Sequence, residues 1–308
     1  MTKKTMLITS TILVVMAGAV LTGCKASKQS NTDTQKIVAV GAENEYADVI
    51  KQIGGKYVSV TGIMSNPETD PHSYEANTVD ASAVNKATLI VQNGLGYDDF
   101  MTKLEKGASN SKRQVINVAD TLGYASDTKN PHLWYHPDTM SKVAEKVASA
   151  LENQMPAQKD YYENNLKKFN TSLGTWKQEI AELKTDEKGA NVAVTEPVAD
   201  YLVDAAELTN KTPWNYQAAV MNGVDPSPQD VKTQQNLFNE KTIKVFLYNR
   251  QAVDDSTTAL LDLAKQNNIP VVGVYETMPN NYTYQKWMEA ETKAIISALK
   301  DGKSTEKL

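Results

Sequence analysis

Short β-branched runs alternate with helix-spaced apolar positions along most of this chain. Residues 37–40 end at Gly41 and lead into an amphipathic segment, 46–53, that stops at Gly54 and Gly55. Strands are expected again at 57–63, at 87–92 behind a helical lead-in at 82–86, and at 114–118. A helix falls between the last two at 98–106. Apolar runs bounded by glycine or polar turns read as buried strands. Their alternation with helices predicts a mostly parallel sheet covered by helices.

From Asp138 the period changes. Met140, Val143, Val147, Ala150 and Leu151 keep helical steps, Pro156 interrupts, and Tyr161, Tyr162, Leu166, Phe169, Leu173, Trp176, Ile180 and Leu183 resume them. Pro156 suits a first helical turn, where its missing N–H is not needed. One helix over 156–185 is expected, roughly 45 Å long at about 1.5 Å per residue. Such a rod serves either as a backbone spanning two halves or as a coiled-coil arm. A second α/β pattern follows at once and favours the spanning role. Its strands are expected at 191–195, 245–248 and Val271–Val274. Its helices fall at 198–206, after a Ser227 cap with Pro228 in the first turn, at 256–266 and at 284–299. The expected fold is α/β: two lobes, each a mostly parallel sheet flanked by helices, joined by a single long backbone helix.

The first segment reads as processing signal. Lys3 and Lys4 precede an apolar stretch, 6–21, that stops at Thr22-Gly23-Cys24. That stretch is too short and one-sided for a lasting membrane span and has the form of a secretory leader. Leu21-Thr22-Gly23-Cys24 resembles the lipobox of bacterial lipoproteins, which implies cleavage before Cys24 and diacylglycerol on its sulfur. Residues 25–36 are small and polar and read as a flexible tether. The organisation expected is therefore leader 1–23, lipidated cysteine and tether 24–36, first lobe 37–155, linking helix 156–187 and second lobe 188–308.

Composition removes several function classes. With 41% hydrophobic and 22% charged residues among 308, a sizeable core is available. A formal charge of −5 and the lack of a basic cluster argue against nucleic-acid partners. The single cysteine excludes an internal disulfide framework and a multi-thiolate metal site. Neither half carries a Gly-x-Gly-x-x-Gly turn or a phosphate loop, so nucleotide binding has no warrant.

The candidate chemistry lies where strands end. All three histidines sit in irregular segments close to prolines: His72 in Asp70-Pro71-His72-Ser73-Tyr74-Glu75, and His132 and His136 in Asn130-Pro131-His132-Leu133-Trp134-Tyr135-His136-Pro137. Prolines stiffen such loops and aromatic neighbours exclude water, which suits an imidazole held for a metal. His132 and His136 are not a helical pair, because Pro131 and Pro137 bracket them. His132 is taken as a ligand and His136 as a residue at the cap of the following helix. Glu196 follows the 191–195 strand and is fixed by Pro197, and Glu276 follows the strand ending at Tyr275. Ligands of open α/β sheets collect beyond the carboxyl ends of strands. Two imidazoles and two carboxylates offer four ligands to a first-row metal without a thiolate.

These segments, with Asn93-Gly94-Leu95-Gly96-Tyr97 and Ser227-Pro228-Gln229-Asp230 in the same order, make the chain similar to a known family. It resembles the manganese/zinc solute-binding receptors of ABC transporters, the cluster A-I proteins, over nearly all of the chain beyond the leader. The resemblance implies two α/β lobes on one rigid helix, with His72 and His132 as first-lobe ligands and Glu196 and Glu276 as second-lobe ligands. Glu196 stands where zinc members usually have histidine and manganese members usually glutamate. Glu276 stands where the family normally has aspartate, one methylene shorter, and His136 where aspartate or asparagine is more usual.

The resemblance further implies a non-enzymatic, lipid-anchored, monomeric receptor on the extracytoplasmic face of the cell membrane. It would carry one divalent ion to an ABC permease served by a cytoplasmic ATPase. Mn²⁺ is favoured over Zn²⁺ because half of the donors are carboxylate oxygens. Affinity is expected to fall below the ordinary imidazole pKa of roughly 6.5. Two alternatives stand beside this reading: a secreted metal-dependent hydrolase, for which no His-Glu-x-x-His helix is present, and a surface adhesin without a transport role. Trp214 is expected either to line the cleft opposite Trp134 or simply to pack.

Overall fold

The computed structural model describes residues 36–108 and 110–308; the leader, Cys24 and the tether up to residue 35 lie outside the described residues. The first lobe runs β1 (Ile37–Glu43), α1 (Asn44–Gly54), β2 (Val58–Met64), α2 (Thr78–Lys86), β3 (Leu89–Gln92), α3 (Asp99–Gly107), β4 (Gln114–Asn117) and α4 (Val118–Leu122). Three helices follow, α5 (Thr139–Gln154), α6 (Lys159–Ser172) and α7 (Gly174–Glu187). The second lobe begins with β5 (Asn191–Val194), α8 (Asp200–Ala205), β6 (Thr209–Asn210), α9 (Trp214–Met221) and α10 (Pro228–Asn239). It ends with β7 (Val245–Asn249), α11 (Asp255–Asn267), β8 (Val271–Val274) and α12 (Tyr284–Asp301).

Both sheets are parallel and share one order, β2-β1-β3-β4 and β6-β5-β7-β8, so the halves repeat a single topology. Each sheet places its first strand next to centre, with Ala39 opposite Leu89 in one and Val192 opposite Val245 in the other. Central parallel strands are covered on both faces, which explains why β1 and β7 read as near-continuous apolar runs. The period of two still sorts their side chains. Ile37 and Ala39 join the large core with α1 and α5, while Val40 and Ala42 pack outward with Val84 and Met101.

The stretch expected as one rod divides at Leu173, between α6 and α7. Leu173 keeps helical angles, φ −72° and ψ −13°. Backbone bonds continue through it, from Leu173 N to Phe169 O at 3.3 Å and from Lys177 N to Leu173 O at 3.1 Å. The neighbouring Ser172 and Gly174 are weak helix formers, which accounts for the interruption. Returning α12 packs along α7 and touches α1. Its Trp287, Met288 and Ile295 enter the same apolar core as Trp134, Met140, Trp176, Val194 and Val274. Tyr284 Oη donates to the Trp134 carbonyl at 2.6 Å, and Trp176 Nε1 donates to Thr292 Oγ1 at 2.9 Å. One unbroken core thus underlies both lobes.

Candidate metal centre

Each sheet delivers its candidate ligands beyond the carboxyl ends of its strands. His72 lies on a single 3-10 turn, Pro71–Ser73, in the loop after β2. Pro71 opens that turn and Asp70 Oδ1 accepts from the His72 backbone N–H at 2.9 Å. His132 immediately precedes a second such turn, Leu133–Tyr135, whose three apolar side chains are buried. Asn130 Oδ1 accepts from the His132 backbone N–H at 3.0 Å and lies 2.8 Å from its Nδ1. Glu196 and Glu276 each stand two residues past a strand, after β5 and β8.

Three of the four expected ligands converge. His72, His132 and Glu276 each offer one ligand atom, all within 4.8 Å of one another, and together they form a site for a single divalent ion. His132 Nε2 lies 3.0 Å from Glu276 Oε2, and His72 Nε2 lies 3.4 Å from it. Glu196 stands at the margin, with Oε2 3.6 Å from His72 Nε2, beyond hydrogen-bonding distance. That oxygen is buried and has no hydrogen-bond partner. The side chain of His72 is 27% exposed while those of His132, Glu196 and Glu276 are closed off, so among these four His72 is the one that faces solvent.

The electrostatics favour a cation. Burial opposes the charged form of His72, but the carboxylates of Glu196 and Glu276 outweigh it and push the ring up to about 9. Burial alone would raise Glu276, yet His132, His72 and the Tyr97 hydroxyl hold it down at about 2. Burial pushes Glu196 up. The pH window for proton competition, expected near 6.5, therefore moves upward because two carboxylates face one imidazole. Two further glutamates, Glu43 and Glu45, are fully buried and unpartnered. Burial drives both well above the usual carboxyl range, which favours their neutral form.

His136 is apart from the group. Its Nδ1 accepts from the Asp138 backbone N–H at 3.2 Å and its ring meets Tyr201 edge-on at 5.9 Å, which fits the expected place ahead of α5. Trp214 lines a cleft of about 660 Å³ with His72, Tyr97 and Pro131, and Lys129 Nζ lies 5.8 Å from its ring centre. Trp134 is fully buried and lies beneath Tyr97, with ring centres 5.0 Å apart, so it does not share the cleft mouth.

The sequence alone suggests no site role for Tyr97 or Asn249, and both touch the ligands. Tyr97 Oη donates to Glu276 Oε2 at 3.0 Å, and its ring meets those of His72 and His132 edge-on. Asn249 Nδ2 reaches Glu196 Oε1 at 3.1 Å and Glu276 Oε1 at 2.5 Å, holding the two carboxylates side by side. Asn249 is the last residue of β7, so the strand-end rule that found the two glutamates applies to it as well.

Ligands drawn from two α/β lobes onto one cation, at a site reached through a cleft, define a two-lobed metal receptor. Residues 40–298 match the family model for zinc-uptake complex component A, periplasmic, and the chain belongs to that family. Its members are metal-binding transport components, not enzymes, which sets the hydrolase alternative aside. Among curated relatives, the manganese ABC transporter substrate-binding lipoprotein PsaA of Streptococcus pneumoniae is 24% identical, over 85% of this chain and 87% of that one. The manganese-binding lipoprotein MntA of Bacillus subtilis is 23% identical, over 93% and 97%. The Mn-bound periplasmic metal binding protein of Candidatus Liberibacter asiaticus has the same fold, with a TM-score of 0.68 at 21% identity. That match covers 86% of this chain and all of the other.

Proposed function

We propose that the protein captures one divalent cation outside the cytoplasm, Mn²⁺ ahead of Zn²⁺, and hands it to an ABC permease driven by a cytoplasmic ATPase. The observation that carries this reading is the convergence of His72 and His132 from one lobe with Glu276 from the other. Glu196 is the fourth ligand in this proposal. Its support is a buried, unpartnered oxygen 3.6 Å from His72 Nε2, an arrangement that a bound cation relieves. Two nitrogens with two carboxylates form a harder donor set than an all-imidazole site, which supports manganese. The names of the two relatives point the same way.

Attachment to the outer face of the membrane is assigned to lipid on Cys24, with residues 25–36 as the tether, from the lipobox resemblance. No helix among the described residues is long and apolar enough to cross a membrane. Residues 37–155 and 188–308 are the two metal-binding lobes in this reading, with 156–187 linking them, and the receptor acts as a monomer.

The test is calorimetric titration of demetallated protein with Mn²⁺ and Zn²⁺, repeated on alanine variants of His72, His132, Glu196, Glu276 and His136. One ion per chain is expected, with weakened binding in the first four variants and unchanged binding in the fifth. A stoichiometry other than one overturns the reading. So does a His136→Ala loss larger than the His132→Ala loss.

A further inference from the structure

Gln251, on the loop that leaves β7, joins the backbone behind one ligand to the loop that carries another. Its Oε1 accepts from the backbone N–H of Glu276 at 2.6 Å and of Thr277 at 2.8 Å. Its Nε2 donates to the carbonyl of Thr69, in the other lobe, at 2.9 Å. Its own N–H donates to Asn249 Oδ1 at 2.9 Å, and Asn249 Nδ2 contacts both Glu196 and Glu276. The amide has one orientation here. Two N–H donors demand the oxygen, which leaves the nitrogen for the Thr69 carbonyl.

Thr69 lies three residues before His72 on a loop ordered by its own bonds. Thr69 N donates to Asn66 O at 3.2 Å, Ser73 N donates to Asp70 O at 3.2 Å, and Asp70 caps His72. A displacement of Thr69 is therefore passed to the His72 ring. Besides the contacts of His72 itself with Glu196 and Glu276, two ion pairs reach this loop from the second lobe, Arg250 to Glu68 and Lys307 to Glu68, each at 3.7 Å. Glu68 is 61% exposed, and exposed pairs at that separation contribute little. Gln251 is 9% exposed, so its bond to Thr69 is the stronger tie.

We propose that Gln251 is a positioning residue for metal retention: it clamps the His72 loop of one lobe onto the backbone that presents Glu276 in the other, and so sets how fast the ion is released. This rests on the proposed role of the site in metal capture. Escape past the solvent-facing His72 requires that ring to move away from Glu276, and the Thr69 bond resists the movement. The two arms of the amide are separable by substitution. In Gln251→Glu the ionised side chain still accepts from Glu276 and Thr277 but cannot donate to Thr69, whereas a protonated one would keep that donor. In Gln251→Met both arms are lost.

The experiment compares these variants with wild type by stopped-flow release of Mn²⁺ to a chelator and by hydrogen exchange of segments 66–74 and 275–278. Gln251→Glu is expected to release Mn²⁺ about three- to tenfold faster, the effect of one interlobe hydrogen bond. Exchange should quicken at 66–74 and stay at the wild-type level at 275–278. The added negative charge attracts the cation, so acceleration cannot come from a weaker pull on the ion itself. Gln251→Met is expected to quicken exchange in both segments and release Mn²⁺ at least as fast as Gln251→Glu. Unchanged release in Gln251→Met overturns the proposal. Equal loss of protection at 275–278 in both does so as well, because Gln251 would then act only as local support. Should the buried carboxylate keep Gln251→Glu from folding, the release rate of the neutral Met variant decides. A wild type that takes up no Mn²⁺ overturns the transport reading instead, while the exchange comparison still decides whether Gln251 ties the loop.

Discussion

Asn130 holds His132 at two points: its Oδ1 lies 3.0 Å from the backbone nitrogen and 2.8 Å from the ring Nδ1. With Nδ1–H directed at Asn130, Nε2 is the atom turned toward Glu276 and the cation. Such outer partners fix the tautomer and ring orientation of metal-bound histidines. Asn130 Nδ2 donates in turn to the Pro197 carbonyl at 2.8 Å, next to Glu196, so one side chain steadies a ligand in each lobe.

Asn130→Ala is expected to weaken Mn²⁺ binding by about 10- to 100-fold. Asn130→Asp keeps an acceptor for Nδ1 and loses only the Pro197 bond, so its loss should be clearly smaller. Competition titrations against a chelator of known affinity measure both. Equal losses in the two variants would show that the ring is oriented by something else.

Metal uptake should release protons at neutral pH. His72 in the metal-free protein is raised to about 9, so it carries a proton at pH 7 that the ion must displace. Glu276, held at about 2, has none to give. Apparent affinity should therefore fall about tenfold per pH unit on descending from 9, and level off above it. Titrations at pH 7 in buffers of different ionisation enthalpy should count about one proton from His72 per ion. A count near zero contradicts the geometry around that ring.

Glu291 predicts a pH dependence of stability independent of metal. Burial pushes this fully enclosed carboxyl up to about 8, against the hydrogen bonds of Tyr135 Oη and Tyr275 N that oppose the shift. Between the ordinary glutamate value and about 8, the unfolded chain has lost a proton that the folded chain keeps. Stability from this group therefore falls as pH rises through that window, by about 1.4 kcal/mol per unit. Glu291→Gln should flatten the decline in urea midpoint between pH 5 and 8 and stabilise the protein at pH 8. Parallel slopes for the two proteins would remove Glu291 as the source.

Gly41 lets α1 follow β1 with no intervening loop. A Cβ there would strike the backbone nitrogen of Ala47 and the carbonyl of Glu43, neither of which belongs to a flexible side chain. Gly41→Ala should destabilise the protein by about 1–3 kcal/mol. Thermal unfolding checks this, and an unchanged Tm would mean the β1–α1 junction yields more readily than its packing indicates.

Much of this architecture was legible because the signals are local. Strand β8 matches its expected bounds, Val271–Val274, and β7 extends one residue past its expected end, since short apolar runs between polar turns leave little freedom. Strand β6 was invisible: Thr209 and Asn210 are two polar residues whose pairing with β5 depends on tertiary placement. Helix α9 was not among the expected elements; Pro213 only precedes its first turn, and of its eight residues just Tyr216 and Gln217 are buried. For the site, proline-bounded loops pointed to His72 and His132 and strand ends to Glu276, which converge, and to Glu196, which stands at their margin. Tyr97 meets Glu276 across 179 positions of sequence and Gln251 meets Thr69 across 182, and no local pattern encodes such a meeting.

The unbroken core beneath both lobes limits how the protein can let go of its cargo. Swinging the lobes apart like the covers of a book would pull Trp134, Trp176 and Trp287 out of a shared apolar interior, and each Å² so exposed costs about 25 cal/mol. Peeling one loop disturbs none of that interior. The cheaper exit therefore begins at His72, the ligand nearest solvent, while His132 and Glu276 stay where they are. Departure is then stepwise and one-sided, and a permease that grips the His72 loop acts on the contact that breaks first.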